Sequence, residues 1–185
     1  MYIVVGLGNP GEEYQNTRHN TGHLAISYLE KKELKGIKFA HLDTFMNKSG
    51  EGVNKIFKIK SKADLSAGAL AKVGKLVVIY DDLDLALGTM KVSYNRGSGG
   101  HKGIESIVRA LKTEAFIRIR IGTSPATPSG KLKKPQGEKA VEKHILSDFK
   151  KPETEILKKV FKKLEPVLTA LVEDGLQKAM TVGNS

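Results

Sequence analysis

Apolar and polar positions along this chain follow two rhythms in alternation. Short runs with strand character are separated by segments whose apolar residues recur every three or four positions, the pattern of helices packed on a sheet. Residues 2–7 predict a first strand, and Leu24, Tyr28 and Leu29 predict a helix over 22–33. Ile37 to Leu42 predicts a second strand, and Ser49 is placed to cap a helix ending near Ile56. Lys75 to Tyr80 is apolar on both faces and predicts a central strand, while Met90 to Tyr94 alternates like a strand exposed on one side. Ile104, Ile107, Val108 and Leu111 have helix spacing. Phe116 to Ile121 alternates cleanly, which sets Phe116, Arg118 and Arg120 on one face. Residues 123–137 hold Pro125, Pro128, Pro135, two glycines and three lysines, and predict a mobile basic loop. A long amphipathic helix is expected over about 153–174, kinked at Pro166 and closed by Gly175. The alternation predicts an α/β fold with a largely parallel sheet, and 185 residues favour a single domain spanning 1–185.

Composition narrows the partners. The chain is 39% hydrophobic but only 6% aromatic, with no Trp, so aliphatic side chains must fill the core. No run approaches the roughly 20 apolar residues of a membrane helix, and the N-terminus reads as a strand without a charged leader. The absence of cysteine excludes disulfides, thiolate nucleophiles and Cys-ligated zinc, and fits a cytoplasmic setting. A net charge of +11 points to a polyanion, nucleic acid first. With so few aromatics, contacts from Lys and Arg to phosphate are expected over base stacking.

Candidate chemistry gathers at loops. Gly6-Leu7-Gly8-Asn9-Pro10-Gly11 follows the first strand and matches the dinucleotide pattern G-x-G-x-x-G. Pro10 stands where a phosphate-binding helix would offer an N–H, and no acidic strand end follows about 20 residues on, so the glycines are read as letting the loop turn and aim Asn9 into a cleft. His19 lies between Arg18 and Asn20 just before a helix, and His23 completes an H-x-x-x-H spacing without an adjacent Glu or an evident third metal ligand. Asp81-Asp82-Leu83-Asp84 follows the strongest strand, where open α/β sheets bind ligands; the rival reading is a magnesium site. Arg96 to Gly103 leads into a helix and could receive an anion at its N–H groups, helped by Lys102. It lacks the Walker ending, and no nucleophile elbow surrounds Ser98. His41 and His144 carry no pattern.

Together these segments resemble the bacterial-type peptidyl-tRNA hydrolases. The matching stretches are GLGNPG (6–11), TRHNTG (17–22), TFMNKSG (44–50), YDDLDL (80–85) with Gly88, GSGGHKG (97–103), FIRIRIG (116–122) and EDGLQKA (173–179), in family order. The resemblance implies a single-domain fold with a twisted mixed sheet flanked by helices. It also implies a cytoplasmic, monomeric esterase acting on peptidyl-tRNA with no metal, no cofactor and no membrane. By motif, His19 would be the catalytic base and Asp81 its partner. Asn9 and Asn47, with Phe45 beside them, would position the peptide and the attacked carbonyl or water. His101 and Lys102 would line the approach of the tRNA 3′ end. Lys91 and Arg120 would grip the 5′ phosphate of the acceptor stem. Three departures stand out. Lys102 replaces the usual Asn, and a lysine cannot accept a hydrogen bond. The segment between His23 and Thr44 is short and, set against the family, is expected to lack a strand or hairpin, which implies a more open peptide side. Ser93 replaces a common lysine while the 123–137 loop is long and basic, which implies a phosphate clamp rebuilt from Arg96 or from Lys131, Lys133 and Lys134. The alternative is a non-catalytic RNA-binding relative that keeps the fold and the basic face.

Overall fold

In the computed structural model, which describes residues 1–60, 64, 66, 68, 71 and 73–185, one sheet contains β1 (Tyr2–Gly6), β2 (Ile37–Ala40), β3 (Leu76–Ala86), β4 (Met90–Tyr94) and β5 (Ile117–Ser124). The order is β2-β1-β3-β5-β4, with every neighbouring pair parallel except β4 and β5. The helices among the described residues are α1 (Thr21–Leu29), α2 (Ser49–Phe57), α3 (Lys102–Leu111), α4 (Glu138–Ile145), α5 (Lys151–Glu173) and α6 (Leu176–Asn184). The fold is thus α/β with a mixed, largely parallel sheet flanked by helices.

Strand alternation divides the core in two. Val4, Val77, Ile79, Ile117, Ile119 and Ile121 pack with α1 and α5, while Val5, Leu76, Val78, Tyr80 and Phe116 pack with α2 and α3. This is why the run from Leu76 to Tyr80 is apolar at every position. From β1 the chain reaches β2 through α1 on one face and then β3 through α2 on the other, so the sheet's switch point lies between β1 and β3. Clefts form beyond the carboxyl ends of strands at such points. Gly6 and Gly22 let α1 lie directly on the sheet: a Cβ on Gly22 would come within 2.2 Å of the Leu7 nitrogen, and one on Gly6 within 2.1 Å of the Gly22 carbonyl oxygen.

Several expectations are corrected. The acidic segment is strand, not turn: β3 continues through it because β5 goes on offering partners, Asp82 to Gly122 and then, after a register shift, Ala86 to Ser124. Ser49 does not cap α2, since its hydroxyl donates to the Met46 carbonyl and Lys48 holds the cap position. Thr123 and Ser124 of the expected loop complete β5, and the rest folds back on itself, with Thr127 N–H donating to Lys131 O and Lys133 N–H to Pro125 O. α5 takes in Pro166, as the expected span had it, with Leu164, Val167 and Leu168 buried on either side. Gly175, with φ +87°, turns the chain from α5 into α6. Neither α4 nor α6 is legible as a helix in the apolar pattern. α4 buries no residue, and α6 buries only Ala179 and Gly183. The short segment after His23 still supplies edge strand β2.

Candidate active site

The chain between β1 and α1 places His19 in a single 3-10 turn, Arg18–Asn20, directly ahead of α1. That turn is fixed from two sides. Arg18 is 6% exposed, and its guanidinium forks onto both Glu153 carboxylate oxygens at 2.8 and 2.7 Å. It also donates to the Ser147 hydroxyl and the Asp148 carbonyl and lies over the Phe149 ring. Asn20 forms the second anchor: its Oδ1 accepts from the Asn9 N–H at 2.8 Å, and its Nδ2 donates to the Asn9 carbonyl at 2.9 Å. The Asn9 Oδ1 in turn accepts from the Met46 N–H at 2.8 Å, which ties the 6–11 loop to the 44–47 segment. Asn9 Nδ2 has no partner within the protein among the described residues.

At the carboxyl end of the apolar run in β3, Asp81 is 3% exposed and meets two imidazoles. His19 Nδ1 lies 3.0 and 3.1 Å from its two oxygens, and His101 Nε2 lies 3.1 Å from Oδ1. His101 caps α3, where its Nδ1 accepts from the Ile104 N–H. That bond fixes the tautomer: Nε2 carries the proton and donates to Asp81. Asp81 likewise selects the Nδ1–H form of neutral His19, leaving Nε2 with a lone pair and no protein partner among the described residues. The His101 ring packs 5.0 Å from that of His19 and 4.8 Å from that of Tyr80.

Electrostatics follow from this packing. Burial disfavours a charged His19, but the charge and hydrogen bond of Asp81 outweigh it and raise the pKa above the usual imidazole value, with Lys102 pulling the other way. Burial also penalises the Asp81 carboxylate, yet the two imidazoles hold its pKa far below the ordinary range. The donor atoms of His19, Asp81 and His101 all lie within 4.8 Å of one another, the one such group among the described residues that could hold a metal ion. Their closest spacings are those of hydrogen bonds, shorter than the roughly 3.3 Å expected between ligands set tetrahedrally about 2.0–2.1 Å from zinc. The group as placed is an imidazole–carboxylate–imidazole array. His23 is not part of it: its ring lies over Gly8, where a Cβ would meet Nδ1 at 2.5 Å, and burial lowers its pKa. The close approach of His23, not a turn, accounts for Gly8. In the 6–11 loop the left-handed region is reached only at Gly11, φ +116°. Nor do the other acids of β3 converge on a site for magnesium. Asp82 pairs with Arg120 at 2.8 Å and Asp84 with Lys134 at 2.6 Å.

A cleft of about 740 Å³ opens over this array and gathers Asn9, His19, Phe45, Asn47, Asp81, Arg96, His101, Lys102 and Arg120 from the sequence candidates. Phe45 is 52% exposed beside it, and α4 lines it with Val141 and Ile145, followed by Leu146 at the helix end. Lys91 is exposed on β4 and does not line the cleft, although in register it faces Arg120. Arg120 is 7% exposed and held by Asp82, so it is not the open cation that the spacing suggests. The anchors Arg18 and Asn20, the tie from His101 to Asp81, and buried Arg118, which donates to Gly97 O at 2.8 Å, were not singled out from sequence. Arg18 and Asn20 flank His19 in one motif, the signal that could have pointed to them.

The fold and cleft define an α/β protein with a carboxylate-oriented imidazole at the switch point of its sheet, the equipment of a hydrolase. The peptidyl-tRNA hydrolase family model matches residues 3–42 and 31–185. A peptidyl-tRNA hydrolase of Fervidobacterium nodosum is 38% identical over 185 residues, covering 99% of this chain and 96% of that protein. Its counterpart from Thermotoga maritima is 33% identical over 198 residues, covering 99% and 97%. A crystal structure of a peptidyl-tRNA hydrolase in complex with N-propanol superposes with a TM-score of 0.81 at 25% identity, covering 100% of this chain and 95% of that one. The structure of the Acinetobacter baumannii enzyme gives the same TM-score at 24% identity, covering 100% and 95%, and supports the fold. The chain belongs to the peptidyl-tRNA hydrolase family.

Proposed function

We propose that this chain hydrolyses the ester that joins peptide to tRNA in peptidyl-tRNA, releasing both for reuse in translation. The observation that carries the reading is the His19–Asp81 pair, 3.0 Å apart, at the floor of a cleft with carboxamide groups on its wall. Neutral His19 takes a proton at Nε2 from a water attacking the ester carbonyl. Asp81 fixes the ring and stabilises the imidazolium that forms. His101 supports Asp81 as a positioning residue. The Nδ2 of Asn9, oriented by the bonds to Asn20 and Met46, is a preorganised donor for the developing oxyanion, and exposed Asn47 meets the peptide together with Phe45. The tetrahedral intermediate collapses with departure of the ribose oxygen, which takes the proton back from His19.

Lys91, Arg96 and the net charge of +11 support phosphate contacts along the acceptor stem and 3′ end, with Arg120 opposite Lys91 in register. No described helix is long and apolar enough to cross a membrane. A monomer acting in the cytoplasm, where peptidyl-tRNA arises, completes the proposal. An RNA-binding relative without catalysis is not favoured, because the imidazole–carboxylate pair is intact. The test is deacylation of an N-acetyl-aminoacyl-tRNA in the presence of EDTA by the wild type and by His19→Ala. Turnover by the wild type alone supports the proposal.

A further inference from the structure

The segment 96–100 leads from β4 to His101 with little packed around it. It contains Gly97, Gly99 and Gly100, and a Cβ on any of them would meet nothing within 4 Å. Its internal bonds centre on Ser98. The Gly100 N–H donates to the Ser98 hydroxyl at 3.1 Å, and the His101 N–H to the Ser98 carbonyl at 3.2 Å. The Ser98 hydroxyl donates to Glu105 of α3 at 3.2 Å. From the sheet, among the described residues, the segment receives one hydrogen bond: Arg118 Nη1 donates to the Gly97 carbonyl at 2.8 Å. Arg118 is a firm support for it. The side chain is fully buried on β5, between Val78 and Ser93 in register, with its guanidinium 4.5 Å from the centre of the Phe116 ring.

This tether matters because of the residue the segment delivers. His101 follows Gly100 directly and is held at both ring nitrogens. Its Nδ1 accepts from the Ile104 N–H at 3.4 Å, a long bond, and its Nε2 meets Asp81 Oδ1 at 3.1 Å. Asp81 in turn orients His19 at 3.0 Å. We propose that Arg118 is a positioning residue of the hydrolase: by fixing Gly97 it sets where the glycine turn delivers His101, and so keeps Asp81 aimed at His19. The role rests on the hydrolase reading above. It differs from a phosphate grip, because a side chain 0% exposed does not touch tRNA. Every link from Arg118 to His19 is a hydrogen bond or a short stretch of backbone, so the coupling is open to a double-mutant cycle.

The experiment measures kcat and KM for N-acetyl-aminoacyl-tRNA deacylation by the wild type, Arg118→Met, Arg118→Lys, His101→Asn and the Arg118→Met, His101→Asn double variant. Asn at 101 can still cap α3, but its side chain ends short of the Nε2 position that meets Asp81. Arg118→Met is expected to lower kcat about three- to tenfold, the contribution of one hydrogen bond, with KM unchanged. Arg118→Lys keeps a donor on a long stem and recovers most of the loss. In the His101→Asn background Arg118→Met costs nothing further, because the link is already broken. A last variant leaves the buried side chain in place: a glycine inserted between Gly99 and Gly100, in open space, lengthens the path from tether to His101 and lowers kcat likewise. Full kcat in the insertion variant, a Lys variant no better than Met, independent losses in the double variant, or a raised KM with kcat intact overturns the inference and leaves the hydrolase reading standing. A wild type that does not cleave the ester overturns both.

Discussion

At the scale of single residues, Asp81 Oδ1 lies within hydrogen-bond distance of two imidazoles, and Oδ2 within that of the His19 ring alone. One carboxylate serves His19, whose other ring nitrogen is free for chemistry, and His101, whose other nitrogen is spent on capping α3. Only His19 can act as a base. Its raised pKa sets the pH dependence, because the protonated ring is inactive: kcat/KM should rise with pH through an inflection above 6.5. Asp81→Asn removes the negative charge that favours the imidazolium, so the inflection should move to lower pH while the plateau drops by about 10⁴, as when a catalytic imidazole loses its orienting carboxylate. A pH–rate profile of both proteins checks the sign. An inflection that moves upward would contradict the pairing. That His19, Asn9 and Asn47 share one cleft was legible in the sequence because loop motifs concentrate polar groups that a fold has little structural reason to keep together, and that Asp81 joins them because it ends the apolar run of β3. The role of His101 was not, because a link between residues 20 apart along the chain depends on where α3 begins relative to β3.

At the scale of elements, the turn bearing His19 is held by the start of α5. Arg18 reaches Glu153 across 135 residues, and Glu153 also accepts from the Lys150 N–H at 2.7 Å to close that helix end. Burial works against the Glu153 carboxylate, but the bonds from Lys150 and Arg18 outweigh it and lower its pKa. Its contribution to stability is therefore present above the unfolded value and lost as pH falls through the folded one. Arg18→Met strands this carboxylate and should cost about 3 kcal/mol of stability, read as a lower urea midpoint with kcat reduced alongside. A variant of full stability and activity would remove Arg18 from the account. Periodicity identified the five strands and the helix over 153–174 because their apolar residues meet a continuous core. It missed α4, whose Val141 and Ile145 face the cleft instead of a packed layer. It also missed the continuation of β3, because acidic residues read as a turn unless the pairing offered by β5 is known. α6 escaped for a similar reason: Asn184 bonds the N–H and carbonyl of Val92 at 2.7 and 3.1 Å, closing the edge of β4 through contacts that no local pattern encodes.

For the whole molecule, the excess of positive charge and the cleft belong to one function if tRNA is held by its phosphates while the ester enters the site. Binding should then weaken with salt, at a slope of about 0.9 per phosphate neutralised where the contact is duplex. Lys91, exposed on β4, is expected to account for about one unit of that slope, seen as a shallower dependence in Lys91→Ala. A slope equal to the wild type's would move the grip to Arg96 or to the 131–134 segment. Net charge was enough to suggest a polyanion, but not to tell free cations from paired ones: Arg120 and Lys134 are each engaged by an aspartate of β3.

The most direct measurement is the single-turnover rate of N-acetyl-aminoacyl-tRNA cleavage at saturating enzyme, wild type against His19→Ala, with circular dichroism confirming that both are folded. Loss of the general base should slow cleavage by about 10² to 10⁴ while tRNA binding is retained. A folded His19→Ala protein that cleaves at the wild-type rate would contradict the assignment of this imidazole as the base.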